Sequence, residues 1–393
     1  MVEIADGVHW VGAVDWDIRD FHGYITHRGT TYNSYLVVGD RVALVDGVKS
    51  RFYEEWVRHI EEYVGLGEID YLVSNHAEPD HSGTIARLHR EAPQAEIVAS
   101  PRGKATLEKY YGALPVTTIK ERPTLDLGGK TLSFVEVPMA HWPDSMVSYI
   151  PEDRVLLSND AFGQHLASSQ RFDDQVDQGV LWQEATAYYA NILMPLRAAV
   201  RRALKQLEGV PVEVIAPSHG VVWRGSPGAI VEGYSKWVDG YSQPKVVVAY
   251  DTMWGSTREL AYAIAEGVAQ GGVDCRVYCL RETHRSDVVT EVLEAKAVLV
   301  GSPALNNHVY PTVAGFLAYL RGLKPYGKLG AAFGSLGWSG GAVRFVEEQL
   351  KLGGLELLEG APQCSFKPTA EEWREAYEFG LGVARRVLED SGA

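Results

Sequence analysis

His76-Ala77-Glu78-Pro79-Asp80-His81 places two imidazoles and two carboxylates within six residues, none of them a large hydrophobe. The hexamer follows the apolar run Tyr71-Leu72-Val73, so it sits where a strand gives way to a loop. Two imidazoles and two carboxylates can hold two cations if other parts of the chain complete each coordination sphere. Alone, the hexamer also reads as a charged, solvated loop, and the rest of the chain decides between the two.

Three later junctions carry further ligand types. The alternating stretch 131–137 runs into Met139-Ala140-His141-Trp142-Pro143-Asp144. A hairpin of 146–150 and 154–158 delivers Asp160, and the run 212–216 leads to Pro217-Ser218-His219-Gly220. Four strand-to-loop junctions, each with a ligand type, point to a binuclear metal site. His59 and His89 fall on helical patterns and read as structural or surface residues. His22 and His165 lie in polar or aromatic loops and could line a pocket without touching a metal.

The order H-x-E-x-D-H, then His141, Asp160 and His219, resembles the metallo-β-lactamase fold in its flavodiiron version. Hydrolases of that superfamily usually show H-x-H-x-D-H, and here Glu78 stands at the second histidine. A carboxylate is a harder, anionic ligand and shifts preference from zinc toward iron. The resemblance implies that His76, Glu78 and His141 bind one iron and that Asp80, His81 and His219 bind the other, with Asp160 bridging. It also gives His22 and His165 substrate-pocket roles. Asp46 and Asp144 are candidates to orient the ligand imidazoles.

The pattern changes after Pro244. The continuous apolar strand 246–250 leads into Asp251 and then Thr252-Met253-Trp254-Gly255-Ser256-Thr257, after which a helix begins with Leu260, Ile264 and Val268 on one face. A strand, a hydroxyl-rich glycine loop and a helix N-terminus make a site for a phosphate monoester. The lysine of an ATP-binding P-loop is missing, and so is the GxGxxG of a dinucleotide site. Further strands are expected at 276–278, 297–300, 329–333 and 355–358, separated by helices, which gives a doubly wound five-stranded parallel sheet with ligands at its carboxyl edge. Ser302-Pro303-Ala304-Leu305-Asn306-Asn307 and Ser335-Leu336-Gly337-Trp338-Ser339-Gly340-Gly341 are loops at that edge. This half resembles flavodoxin. The resemblance implies that 252–257 hold the phosphate of FMN and that the other two loops frame the flavin ring.

At 393 residues the chain is long for one core, and two domains are expected: a metallo-β-lactamase-like αββα domain over 1–243 and a flavodoxin-like domain over 244–393. The net charge of −14 speaks against nucleic acid or an anionic membrane as partner. Three cysteines, Cys275, Cys279 and Cys364, form no CxxC pair and suit a reducing cytoplasm. The acidic start lacks a signal-peptide profile, and no apolar run reaches the length of a membrane span.

Taken together, the resemblance implies an α/β oxidoreductase that reduces O2 to water, NO to N2O, or both, at two irons per chain. FMN would relay electrons. The donor is expected to be external, rubredoxin or a reduced deazaflavin, because little chain follows the last helix. A head-to-tail homodimer or a dimer of dimers is expected. The alternative is a binuclear metallo-hydrolase joined to an electron-carrier domain.

Overall fold

The computed structural model describes residues 2–338 and 340–391. The chain divides into two compact units, one of residues 1–188 and 196–235, the other of 189–195 and 236–393.

Among the described residues, the first unit is built on a seven-stranded and a five-stranded sheet. The seven strands run in the order Val2–Ala5, Val8–Trp10, Tyr35–Val38, Val42–Val45, Ile69–Ser74, Glu96–Ala99 and Val116–Thr118. The five run Thr124–Asp126, Thr131–Glu136, Met146–Ile150, Val155–Asn159 and Val214–Pro217. Period-two alternation sorts neighbouring residues to opposite faces. Val37, Val45, Val73 and Val98 enter a core shared with Leu132, Met146, Ile150, Leu157 and Ala216 of the second sheet. Their neighbours Leu36, Leu44, Leu72 and Ile97 join Trp56, Ile60, Ile85, Leu88 and Leu107 from helices on the outer face. A one-residue slip would exchange these two sets, so burial on both faces pins the register. It also fixes where each strand ends. The hairpin expected at 146–158 forms as an antiparallel pair, and strands Tyr35–Val38 and Val42–Val45 make another.

The second unit carries a parallel sheet in the order Asp274–Cys279, Gln243–Tyr250, Ala295–Pro303, Leu329–Leu336, Glu356–Leu357. This is the 2-1-3-4-5 order of flavodoxin-like sheets. The fifth position is filled in two pieces, because Gln363–Ser365 pairs farther along Leu329–Leu336. Pro362 and the left-handed Gly360 (φ 79°) interrupt the run between them. Helix Ser256–Gln270 and helix Ala370–Ser391 pack closely over one face. A Cβ on Gly267 would come within 2.0 Å of the Tyr377 carbonyl oxygen, so only glycine fits there.

Candidate functional site

The metal-ligand candidates of the first unit meet at the carboxyl ends of its strands. Strand Ile69–Ser74 is followed by Asn75, whose N–H donates to Asp46 Oδ1 at 2.8 Å. The N–H of Ala77 donates to Asp144 Oδ2 at 2.7 Å, and Pro79 opens a one-turn helix, Pro79–Ser82, that presents Asp80 and His81. These bonds hold the hexamer in a fixed turn.

The structure brings all seven expected ligand residues together, in two groups: His76, Glu78, His141 and Asp160, and Asp80, His81 and His219. In the first group His76 Nε2 lies 3.1 Å from Glu78 Oε2, and His141 Nε2 lies 3.0 Å from Asp160 Oδ2. In the second, His81 Nε2 is 3.2 Å from His219 Nε2, and each is 3.3 Å from Asp80 Oδ2. Asp160 faces both groups, with Oδ2 toward His141 and His76, and Oδ1 3.1 Å from His81 Nε2.

The imidazoles of these groups are approached from behind. Thr31 O lies 2.7 Å from His219 Nδ1, and Asp144 Oδ2 lies 3.5 Å from His76 Nδ1. His22, on the hairpin of Asp20–Phe21 and Tyr24–Ile25, puts Nε2 3.1 Å from Glu78 Oε1, while its side chain stays 74% exposed. His165 is fully buried, its ring 4.9 Å from that of His219 and its Nδ1 2.8 Å from Thr30 Oγ1. Tyr188, Thr30 and Thr31 also belong to this site, although the sequence reading passed over them. Tyr188 is buried with its ring 5.0 Å from His165 and 6.1 Å from His219. The aromatic pair Tyr188-Tyr189 gives no ligand signal and reads as core packing.

In the second unit the three expected loops converge on a cleft of about 610 Å³. Met253, Trp254 and Ser256 line it from the first loop, 303–307 from the second and 335–338 from the third. Trp254 and Trp338 are 94% and 88% exposed, so the cleft has aromatic walls that the chain itself leaves uncovered. Glu259, Phe366 and Lys367 also line it and were not foreseen. Thr252 and Gly255 line a neighbouring pocket with Arg258 and Arg281, and Thr257 and Ser302 are fully buried. Thr257 Oγ1 is 2.8 Å from Ser335 Oγ, and Ser302 Oγ accepts from Tyr310 N at 3.0 Å. Gly341 packs so closely on Asn307 that a Cβ would lie 2.7 Å from its carbonyl oxygen, and Gly340 lies against Leu336. Ser339 falls outside the described residues.

Residues 30–220 match the family model described as ODP family beta lactamase, and residues 248–380 match the flavodoxin model. A nitric oxide reductase of Moorella thermoacetica is 45% identical over 395 residues, 99% of each chain. The rubredoxin oxygen:oxidoreductase of Desulfovibrio gigas superposes with a TM-score of 0.96 at 38% identity, over 100% of both chains. The flavodiiron protein of Giardia intestinalis gives a TM-score of 0.96 at 36% identity, over 99% of this chain and 97% of that one. The chain belongs to the flavodiiron proteins.

The donor sets fit the metals that a flavodiiron protein implies. Ligands about 2.1 Å from a common cation and at right angles to one another lie about 3 Å apart, the spacing of these nitrogens and oxygens. Both oxygens of Asp80 and Oδ1 of Asp160 are buried and, among the described residues, have no hydrogen-bond partner. Buried carboxylates left this way are costly unless a cation faces them. The electrostatics agree. Burial pushes Asp160 up, but His81 and His141 outweigh it and hold the carboxyl well below the usual range. Burial likewise opposes protonation of His81, yet Asp80 and Asp160 push its pKa up to about 9. His165 behaves oppositely: burial, aided by His219, holds it well below the usual imidazole value, and it is neutral. The cleft fits a flavin in size and in its apolar and aromatic lining. Gly255, left-handed at φ 95°, opens helix Ser256–Gln270 with its N-terminal N–H groups available for a phosphate.

Proposed function

We propose that this flavodiiron oxidoreductase reduces O2, NO or both, drawing electrons from an external carrier of the rubredoxin or deazaflavin kind. The placement of Asp160 carries the reading, because one carboxylate turns a separate oxygen to each ligand group. His76, Glu78 and His141 would hold one iron and Asp80, His81 and His219 the other, with FMN in the cleft framed by 252–257, 302–307 and 335–341. FMN held there would supply single-electron transfer, and two irons held by these residues would supply adjacent positions for O2 or NO. A carboxylate at Glu78 favours iron over zinc and speaks against the hydrolase alternative.

The protein's own groups do the positioning. The Thr31 carbonyl accepts from Nδ1–H of His219 and leaves Nε2 as the ligand atom. The Asp144 carboxylate lies on the Nδ1 side of His76 at 3.5 Å, and His22 Nε2 holds the outer oxygen of Glu78. Phe21, Tyr24 and Tyr188 surround His165 and exclude water from it. His165 Nε2 has no hydrogen-bond partner among the described residues, which suits it to meet a substrate atom.

No helix among the described residues is long and apolar enough to cross a membrane. We place the protein in the cytoplasm, in keeping with its three free cysteines. The uncovered aromatic rim of Trp254, Trp338 and Phe366 supports a head-to-tail homodimer in which a second copy covers the cleft. The decisive experiment measures steady-state rates with O2 and with NO on one iron-loaded sample, using a common artificial donor. Metal analysis of the protein as isolated separates the two readings: about two irons per chain supports this one, whereas two zincs, with no turnover of either gas even after iron loading, would return the hydrolase.

A further inference from the structure

Asp251, at the carboxyl end of strand Gln243–Tyr250, is a fully buried carboxylate beside the loop read above as the phosphate site. Oδ1 accepts from the N–H of Thr252 at 2.6 Å and from Arg281 Nε at 2.7 Å, and Oδ2 accepts from the Thr312 hydroxyl at 2.5 Å. Arg281 also donates from Nη2 to the carbonyl oxygen of Thr252. Carboxylate and guanidinium therefore grip both backbone groups of Thr252, the first residue of the phosphate loop. The Thr252 hydroxyl accepts in turn from Gly255 N at 3.1 Å, which carries the brace to the first turn of the following helix. Segments after three successive strands are joined: 251–255, Arg281 after Asp274–Cys279, and Thr312 in the first turn of helix Pro311–Leu323, which follows Ala295–Pro303.

The charge at this position needs explaining. A buried carboxylate next to a phosphate loop repels a dianionic phosphate, and low-dielectric surroundings strengthen the repulsion. Arg281 cancels that charge while its own side chain stays 43% exposed. We propose that Asp251 and Arg281 form a positioning pair, in which the guanidinium neutralises the carboxylate and both together hold the loop in its phosphate-binding shape. The proposal rests on the reading of the cleft as an FMN site. It makes the pair specific for the phosphate end of the ligand, because neither residue lines the cleft that would hold the ring.

The test is fluorescence titration of the full-length apoprotein with FMN and, separately, with riboflavin, which lacks the phosphate. Arg281→Met should weaken FMN about 100-fold, because it strands a buried charge beside the phosphate, and should change riboflavin affinity less than about threefold. Arg281→Lys keeps the charge but loses the fork, and should cost about tenfold. Asp251→Asn combined with Arg281→Met removes both charges and should recover FMN affinity to within about tenfold of the unaltered protein. Unchanged FMN affinity in Arg281→Met would overturn the proposal, as would an equal loss for riboflavin or a double variant no better than the single. Failure of the unaltered apoprotein to take up FMN would instead overturn the flavin reading on which the proposal stands.

Discussion

His219 and Thr31, 188 positions apart in sequence, are joined by a 2.7 Å contact between imidazole Nδ1 and carbonyl oxygen. The Thr31 hydroxyl reinforces it by accepting from Gly220 N at 2.6 Å. One residue thus orients a candidate ligand ring and clamps the loop behind it. Thr31→Val keeps the shape and removes the hydroxyl, leaving a buried N–H unpaired at a cost of about 1–3 kcal/mol. Affinity for the metal held by His219 should fall about 10- to 100-fold, with the other metal less affected. Metal analysis after graded dialysis against a chelator checks this, and equal retention by both proteins would refute the clamp.

Asp160 and His141 should behave differently from one another. Asp160 turns one oxygen to each group, so Asp160→Ala should empty both positions. His141 touches only the group of His76 and Glu78, so His141→Ala should lower occupancy chiefly at one. Iron per chain near zero for the first variant and near one for the second is the expected result. Full iron in Asp160→Ala would show that another group bridges.

Much of this candidate site was legible because residues able to bind a metal have few chemical substitutes. Histidine, glutamate and aspartate at the ends of apolar runs stand out, and the alternation of the strands fixed where those ends fall. The supporting residues did not stand out. A threonine carbonyl carries no signature in sequence, and Tyr188 is indistinguishable from a core aromatic until its neighbours are known. The same limit applies in the second unit. The apolar run 355–358 reads as one strand, whereas pairing continues at Gln363–Ser365 after the turn at Gly360 and Pro362. That second piece delivers Phe366 and Lys367 to the cleft, which propensity alone does not foretell. Asp251 carries no signal of its own in sequence, since its partners Arg281 and Thr312 come from other crossovers.

Thr257→Val tests the phosphate end of the flavin site. The hydroxyl lies at the start of helix Ser256–Gln270 and is shared with Ser335 at 2.8 Å. Losing one hydrogen-bond donor should weaken FMN about tenfold and leave metal content untouched. Unchanged affinity on fluorescence titration would move the phosphate away from this turn.

The cysteines should be slow to react in the folded protein. Burial, with help from Asp274, pushes the Cys275 thiol up to about 12, and burial with Glu372 pushes Cys364 up to about 11. Burial also raises Cys279. A raised pKa keeps the thiol protonated, and the thiolate is the nucleophile. At pH 8 Cys275 and Cys364 should alkylate at least about 100-fold more slowly in the native chain than in the unfolded chain, whose thiols titrate near 8.5. The native rate should still be climbing above pH 9. A native rate that levels off near pH 8.5 would contradict the assigned environments.

Subunit exchange tests whether the flavin of one chain serves the irons of another. An iron-free variant, His81→Ala with Asp160→Ala, retains the cleft of the second unit. A flavin-free variant, Ser256→Ala with Thr257→Val, retains the ligand groups of the first. Neither should turn over alone. In an isologous dimer each chain presents the same patch to its partner, so a hybrid of the two variants pairs one intact cleft with one intact ligand set. Mixing, followed by conditions that exchange subunits, should restore up to about a quarter of the unaltered activity, because about half the dimers are hybrids and each holds one working pair of sites. Transfer confined within a chain forbids any recovery, since no chain then carries both sites. Hybrids verified by mass, with flavin and iron both present and no turnover of O2 or NO, would rule out transfer between subunits.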